Sequence, residues 1–114
     1  MSKKKENYLE KIPQRSDKLS WTTDDESLIT LEIQNKGFFN RLFQIILKKP
    51  KISYIHLDEF GSFVWSIIDG EKSILDLGKD IEEKFGEASH PLYERLSKYF
   101  GILESYRFIT FKTK

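Results

Sequence analysis

The sequence feature that most constrains the fold is the stretch 58–70, DEFGSFVWSIIDG, because it encodes both ends of a helix. Asp58 can accept hydrogen bonds from the unpaired N–H groups of a first turn. Gly70 can take the left-handed conformation that closes many helices, and Gly61 permits a close backbone approach on the apolar face. The spacing predicts that this helix is the centre of the core. Its apolar face comprises Leu57, Phe60, Val64, Ile67 and Ile68, with Phe63 and Trp65 at the flanks.

Length and composition indicate one globular domain. The chain has 114 residues, of which 32% are charged and 39% are hydrophobic, and this length allows a modest core. Cysteine is absent, which excludes a disulfide, a thiolate nucleophile and a cysteine-ligated metal. The sequence contains neither the apolar core of a signal peptide nor a run long enough to span a bilayer, so we expect a cytoplasmic protein.

The residues before the central helix show the alternation of half-buried strands. A short strand is predicted from Trp21, followed by a turn at 24–26 and a second strand over 28–33. The stretch 52–57 alternates again, and its core-facing residues are predicted to be Ser53, Ile55 and Leu57, opposite Ile52, Tyr54 and His56. Strands followed by a run of helices indicate an α+β fold.

Two more helices follow the central one. Ser73 is the predicted N-cap of the second helix and Gly86 its end, and the third begins near Pro91. The predicted core residues are Ile74, Leu77, Ile81 and Phe85 in the second helix and Leu92, Leu96, Phe100 and Leu103 in the third. The last residues, 108–111, are expected to form a short strand or a docked tail. The predicted architecture is a small antiparallel sheet followed by three helices, similar to a winged helix.

Two segments stand apart from this domain. Residues 1–20 are predicted to be a mostly disordered arm, which leaves residues 21–114 as the domain. Within it, residues 38–49 read as a basic amphipathic insertion. The stretch 36–51 has five cations and no acid, whereas 58–86 has eight acids and three lysines. We expect the insertion to pack on its own domain. Docking on a partner is an alternative, and membrane contact is less favoured.

The run 55–85, IHLDEFGSFVWSIIDGEKSILDLGKDIEEKF, resembles the PqqD family, the peptide-binding proteins also called RiPP recognition elements. The resemblance rests on Leu57 at the end of a strand, Asp69-Gly70 after a helix, Ser73-Ile74 at the start of the next, and a third helix over 92–103. It covers roughly residues 21–110. The basic insertion departs from the compact hairpin of the usual family member.

The resemblance implies a function and a site. Such proteins hold the leader segment of a ribosomally made precursor peptide and present its core to a modifying enzyme, often a radical SAM enzyme. The leader adds as a further strand beside the last sheet strand and packs on the third helix. In this sequence the implied peptide-binding residues are Ile52, Tyr54, Ile55 and His56 on the strand, and Arg95, Tyr99, Ile102 and Tyr106 on the helix.

Other functions find less support in the residues. The histidines His56 and His90 lie far apart without a catalytic signature, so no catalytic residue, metal or cofactor is expected. A winged-helix nucleic-acid binder is one alternative, but the predicted second helix is acidic and no specific nucleic-acid binding is expected. A structural adaptor that uses residues 38–49 to anchor an enzyme is another alternative.

Overall fold

The computed structural model describes residues 8–34 and 52–112. Its strands are β1 (Ile12–Arg15), β2 (Ser20–Thr23), β3 (Ile29–Gln34), β4 (Ile52–His56) and β5 (Ile109–Lys112). Its helices are α1 (Glu59–Ile67), α2 (Ile74–Phe85) and α3 (Leu92–Ser105), and a 3₁₀ turn, Gly86–Ser89, joins the last two. This order confirms the predicted α+β class, with antiparallel strands followed by three helices.

The principal sheet has the strand order β2-β3-β4, and all its pairs are antiparallel. A turn anchored by Asp24 joins β2 to β3, because its carboxylate accepts from the backbone N–H groups of Glu26 and Leu28. The alternation predicted for β3 is present, since Ile29 and Leu31 are buried. The sheet therefore covers one side of the core with its middle strand.

Strand β1 is a feature that the sequence reasoning missed. It pairs antiparallel with β5 in a separate two-stranded sheet, and Ile12 and Pro13 are buried. This pairing orders residues 12–15, which lie within the expected disordered arm, because the partner strand comes from the other end of the chain. Residues 1–7 and the predicted insertion 38–49 lie outside the described residues, so the domain division stays a prediction.

Helix α1 begins as predicted, and its buried face keeps Val64 and Ile68 of the predicted one but is rotated toward Trp65. The Asp58 carboxylate accepts from the Gly61 N–H at 2.7 Å, which confirms the N-cap. The helix ends at Ile67, and Gly70 takes the left-handed conformation in the following turn, with φ of 76°. Trp65 is fully buried, whereas Phe60 is only half-buried. The prediction that Trp65 lies at the flank is therefore wrong.

The reason for the rotated face is the position of the sheet. The ring of Trp65 meets that of Trp21 from β2 edge to face, with centroids 6.2 Å apart. Phe60 and Phe63 instead pack on Phe85 at the end of α2, each with centroids 5.7 Å apart. The sheet and the other helices thus cover the Trp65 side of α1, and Phe60 and Phe63 lie at the edge of the core.

Helices α2 and α3 match the predicted pattern closely. The Ser73 hydroxyl accepts from the Asp76 N–H, and Gly86 caps the end of α2, as predicted. The predicted core residues of both helices are buried except Phe85, which is half-buried. The ring of Tyr93 lies directly over Gly78, so that glycine permits the close approach of α3 to α2.

Candidate functional site

The outer edge of β4 is the first part of the candidate site. Strand β4 is terminal in its sheet, and among the described residues no other strand pairs with that edge. The Leu57 N–H donates to the Ile29 carbonyl, which makes 29–57 and 31–55 the hydrogen-bonded pairs of this antiparallel ladder. The backbone groups of Tyr54 and His56 therefore point away from β3. They are available to an added strand.

The side chains of β4 divide between two faces. Tyr54 is 57% exposed and His56 is also exposed, on the face away from the core, while Ile55 is half-buried. His56 Nδ1 lies 2.9 Å from the hydroxyl oxygen of Thr30, its cross-strand neighbour. This arrangement agrees with the predicted facing of the strand. The side chain of Ile52 lies outside the described part of the chain.

Helix α3 contributes two anchored side chains. The Arg95 guanidinium lies 3.9 Å from the centre of the Phe60 ring and donates to the Ala88 carbonyl at 2.8 Å. The Tyr99 hydroxyl donates to the Gly61 carbonyl at 2.8 Å. Burial, reinforced by the Asp58 carboxylate, raises the pKa of Tyr99, so this hydroxyl stays a neutral donor. Both side chains tie α3 to the start of α1.

Gly61 is the point at which the strand end and α3 meet. A Cβ atom at Gly61 would lie 3.4 Å from the Tyr99 ring and 3.5 Å from the Leu57 Cβ. Leu57 directly follows β4, so the ring of Tyr99 lies near the C-terminal end of the open strand edge. The structure thus places Tyr99 near this end of β4, across Gly61. Arg95 is linked to it through the ring of Phe60, which both side chains contact.

The helix half of the predicted site is a stripe of four residues, namely Arg95, Tyr99, Ile102 and Tyr106. The last two of them differ from the first two in their exposure and contacts. Ile102, in the last turn of α3, is 51% exposed, and Tyr106, the residue that follows the helix, is 65% exposed. The ring of Tyr106 stacks on Phe108, with centroids 5.5 Å apart. The contacts that join Arg95 and Tyr99 to α1 do not include these two residues. The stripe therefore consists of an anchored half and an exposed apolar half.

The roles of two residues near the site were not predicted from the sequence, which placed Phe60 only on the core face of its helix. Phe60 holds both Arg95 and Tyr99, with its ring 6.4 Å from that of Tyr99 in an edge-to-face contact. Ser62 is buried, and its hydroxyl accepts from the Ile29 N–H at 2.8 Å, which fastens α1 to β3. Helical spacing puts Ser62 on the side opposite Val64, away from the predicted apolar face, so no local pattern indicated the second contact.

The rest of the described surface offers little to support catalysis. Among residues 8–34 and 52–112, no group of three His, Asp or Glu side chains could hold a metal ion. His90 lies at the surface, with Nε2 3.1 Å from a Glu82 carboxylate oxygen. Within the same ranges, no helix is both long enough and apolar enough to cross a membrane.

The fold and this surface define a class of protein: a small α+β domain of antiparallel strands followed by three helices, with a strand edge on β4 that no other strand among the described residues covers. A protein-family model described as Coenzyme PQQ synthesis protein D (PqqD) matches residues 44–109. Because this match covers more than half of the chain, the chain belongs to the PqqD family. Comparisons with curated proteins and with solved structures gave no match.

Family membership defines the general role. PqqD-family proteins are non-catalytic chaperones that bind a precursor peptide in cofactor and RiPP biosynthesis and work with a radical SAM enzyme. The prediction that this chain is not an enzyme is confirmed on this ground. The matched region begins before β4 and ends at the start of β5. Strands β1, β2 and β3 precede it, so the match is shorter than the predicted span 21–110.

Proposed function

We propose that this protein binds the leader segment of a ribosomally made precursor peptide as an added strand on β4 and presents it to a radical SAM modifying enzyme. The observation that carries the proposal is the outer edge of β4, with which no strand of residues 8–34 and 52–112 pairs and whose outward backbone groups belong to Tyr54 and His56. Main-chain hydrogen bonds to such an edge supply affinity, and nearby side chains supply selectivity. The cytoplasm is the expected location.

The side chains around this edge suit an extended peptide. Tyr54 is exposed on the strand, Ile102 is exposed on α3, and Tyr106 is exposed directly after it. Large apolar and aromatic groups of this kind anchor peptide side chains when they become desolvated. Arg95 and Tyr99 complete the proposed binding residues, together with Ile52, Ile55 and His56.

The surface of α2 argues against the nucleic-acid alternative. Its outward residues include Asp76, Asp80, Glu82 and Glu83, and of its nearby lysines Lys72 is already paired with Asp80 at 3.0 Å. Phosphate contacts supply most of the affinity for nucleic acid, and an acidic helix repels them. We therefore expect no specific binding to duplex DNA.

Amide hydrogen exchange tests the strand pairing directly. The probe is the leader of a short precursor encoded beside this chain's gene. We expect the Tyr54 and His56 amides to exchange quickly in the free protein and to become protected when the peptide binds. The Ile55 and Leu57 amides, which face β3, are the internal control and should be protected in both states. Binding that protects α2 and leaves Tyr54 and His56 unprotected would show that the site is misplaced.

Side-chain substitutions test the helix half of the site. Arg95→Ala and Tyr106→Ala should each weaken leader binding by about 1–2 kcal/mol. Tyr106 is the cleaner probe, because it is largely exposed and its loss should leave the fold intact. Tyr99→Ala also removes a buried contact with Gly61, so its effect on binding must be read beside its effect on stability. Glu94→Ala, on an exposed part of the same helix, is the control.

A further inference from the structure

Arg95 is held in one position by contacts on two sides. Its guanidinium stacks on the Phe60 ring at 3.9 Å from the ring centre, and Nη1 donates to the Ala88 carbonyl at 2.8 Å. A guanidinium carries five N–H donors in a rigid plane, and the Ala88 carbonyl uses one of them. The remaining donors are therefore presented in a fixed direction, with little rotamer freedom left to lose on binding.

This cation has no charged partner in the described part of the chain. Among residues 8–34 and 52–112, the close contacts between basic and acidic side chains are Lys72 with Asp80 and His90 with Glu82, and neither includes Arg95. Its side chain is half-buried. Because a partly desolvated charge is costly when unpaired, the site is electrostatically incomplete.

The position of Arg95 links it to the open strand edge. Phe60, on which it stacks, also contacts Tyr99, and Tyr99 approaches Leu57 at the end of β4 across Gly61. A strand added to β4 would therefore pass this group of side chains near one of its ends.

We infer that Arg95 is a specificity residue that pairs with a carboxylate, from an aspartate or a glutamate, in the bound leader. The planar fork of a guanidinium matches the two oxygens of a carboxylate, and the Phe60 ring shields the pair from water on one side. The inference rests on the proposed function, and it adds the chemical class of one leader residue. A lysine could not reproduce both the stacking and the fork.

Selection from a randomised library of ten-residue peptides tests the inference without a known leader. The bait is the full chain, in wild-type form and as Arg95→Gln, Arg95→Glu and the control Lys98→Gln, which removes an exposed cation from the same helix. We expect wild type and Lys98→Gln to enrich an acidic residue at a fixed distance from apolar positions. Arg95→Gln should lose this enrichment, and Arg95→Glu should select lysine or arginine instead.

A double-mutant cycle then separates pairing from support of the fold. The two peptides are the best acidic binder and the same peptide with Asp→Asn or Glu→Gln, each measured against wild type and Arg95→Gln. Charged hydrogen bonds of this kind give an expected loss of about ten-fold or more for the acidic peptide alone. An equal loss for both peptides would overturn the inference, because Arg95 would then merely support Phe60.

The two proposals fail in distinguishable ways. If selected peptides protect the Tyr54 and His56 amides but show no acidic preference, the inference about Arg95 is wrong and the strand-addition site stands. If selected peptides bind elsewhere, or none is selected, the proposed function fails and the inference fails with it.

Discussion

The burial of Trp65 provides a sharp test of how α1 is oriented. Trp65 is fully buried at 0% exposure, whereas Phe60, one turn earlier, is only half-buried. Truncating a fully buried aromatic residue costs about 3–5 kcal/mol. Truncating Phe60 should cost about 1–2 kcal/mol, because only part of its apolar area leaves water on folding. The cost of truncating Phe60 includes the loss of its contact with Arg95, which is worth about 0.5–1 kcal/mol at an exposed site.

The measurement is guanidinium denaturation of Trp65→Ala and Phe60→Ala, followed by far-ultraviolet circular dichroism. Leu75→Ala, at an exposed apolar position of α2, is the control and should change stability by less than about 0.5 kcal/mol. Trp65→Phe should cost less than Trp65→Ala, because it keeps a ring and removes a buried indole N–H that has no partner among the described residues. A larger loss for Phe60→Ala than for Trp65→Ala would refute this orientation of α1.

Two further predictions concern side-chain hydrogen bonds to the backbone that stabilise the fold. Ser62→Ala should cost about 1–3 kcal/mol by leaving the buried Ile29 N–H without a partner, whereas Ser66→Ala, at an exposed position, should be nearly neutral in the same denaturation assay. Hydrogen bonds from the Lys72 and Glu71 N–H groups hold the pKa of Asp69 below its usual value. A carboxyl group whose pKa is lower in the folded than in the unfolded protein stabilises the fold at pH values above its unfolded-state pKa. This stabilisation is lost as the pH falls through the folded-state pKa. Stability measured against pH should therefore decline less in Asp69→Asn than in wild type over this acidic range.

Helices α1 and α2 were predictable because each has a capping side chain at its N-terminus. Asp58 and Ser73 cap their helices as the sequence indicates, and Gly86 closes α2. The orientation of α1 was not predictable in the same way, because both of its faces are apolar. Phe60, Val64 and Trp65 could each belong to a core, and the deciding fact is where the sheet lies, which no local pattern contains.

The pairing of β1 with β5 shows a second limit of sequence reasoning. Residues 12–15 have one apolar residue followed by Pro13 and two polar residues, so they carry no alternation that would indicate a strand. Their order depends on main-chain hydrogen bonds to β5 and on the burial of Ile12 and Pro13. Such contacts between distant segments are selected by the whole fold rather than by local propensity.

The candidate site combines predictable and unpredictable parts. The alternation over 52–57 predicted the facing of Tyr54 and His56, and helical spacing placed Arg95 and Tyr99 on one stripe. The sequence could not reveal that this stripe divides, because Tyr99 is drawn inward by a hydrogen bond to a backbone carbonyl, that of Gly61. A carbonyl acceptor carries no residue signature, so its position becomes known only when two helices are placed side by side.

One turn of α1 contacts both halves of the proposed peptide-binding site, the strand β4 with its sheet and the helix α3. Ser62 fastens that turn to β3, and Gly61, one residue earlier, lets Tyr99 of α3 approach the end of β4. Phe60, directly before them, holds Arg95. Because these three consecutive residues contact the sheet, Tyr99 and Arg95, a shift of this turn would displace the strand end and the helix surface together. The half-burial of Phe60 agrees with this role. Its ring lies at the edge of the core, where Arg95 stacks on it, whereas the ring of Trp65 lies in the centre of the core.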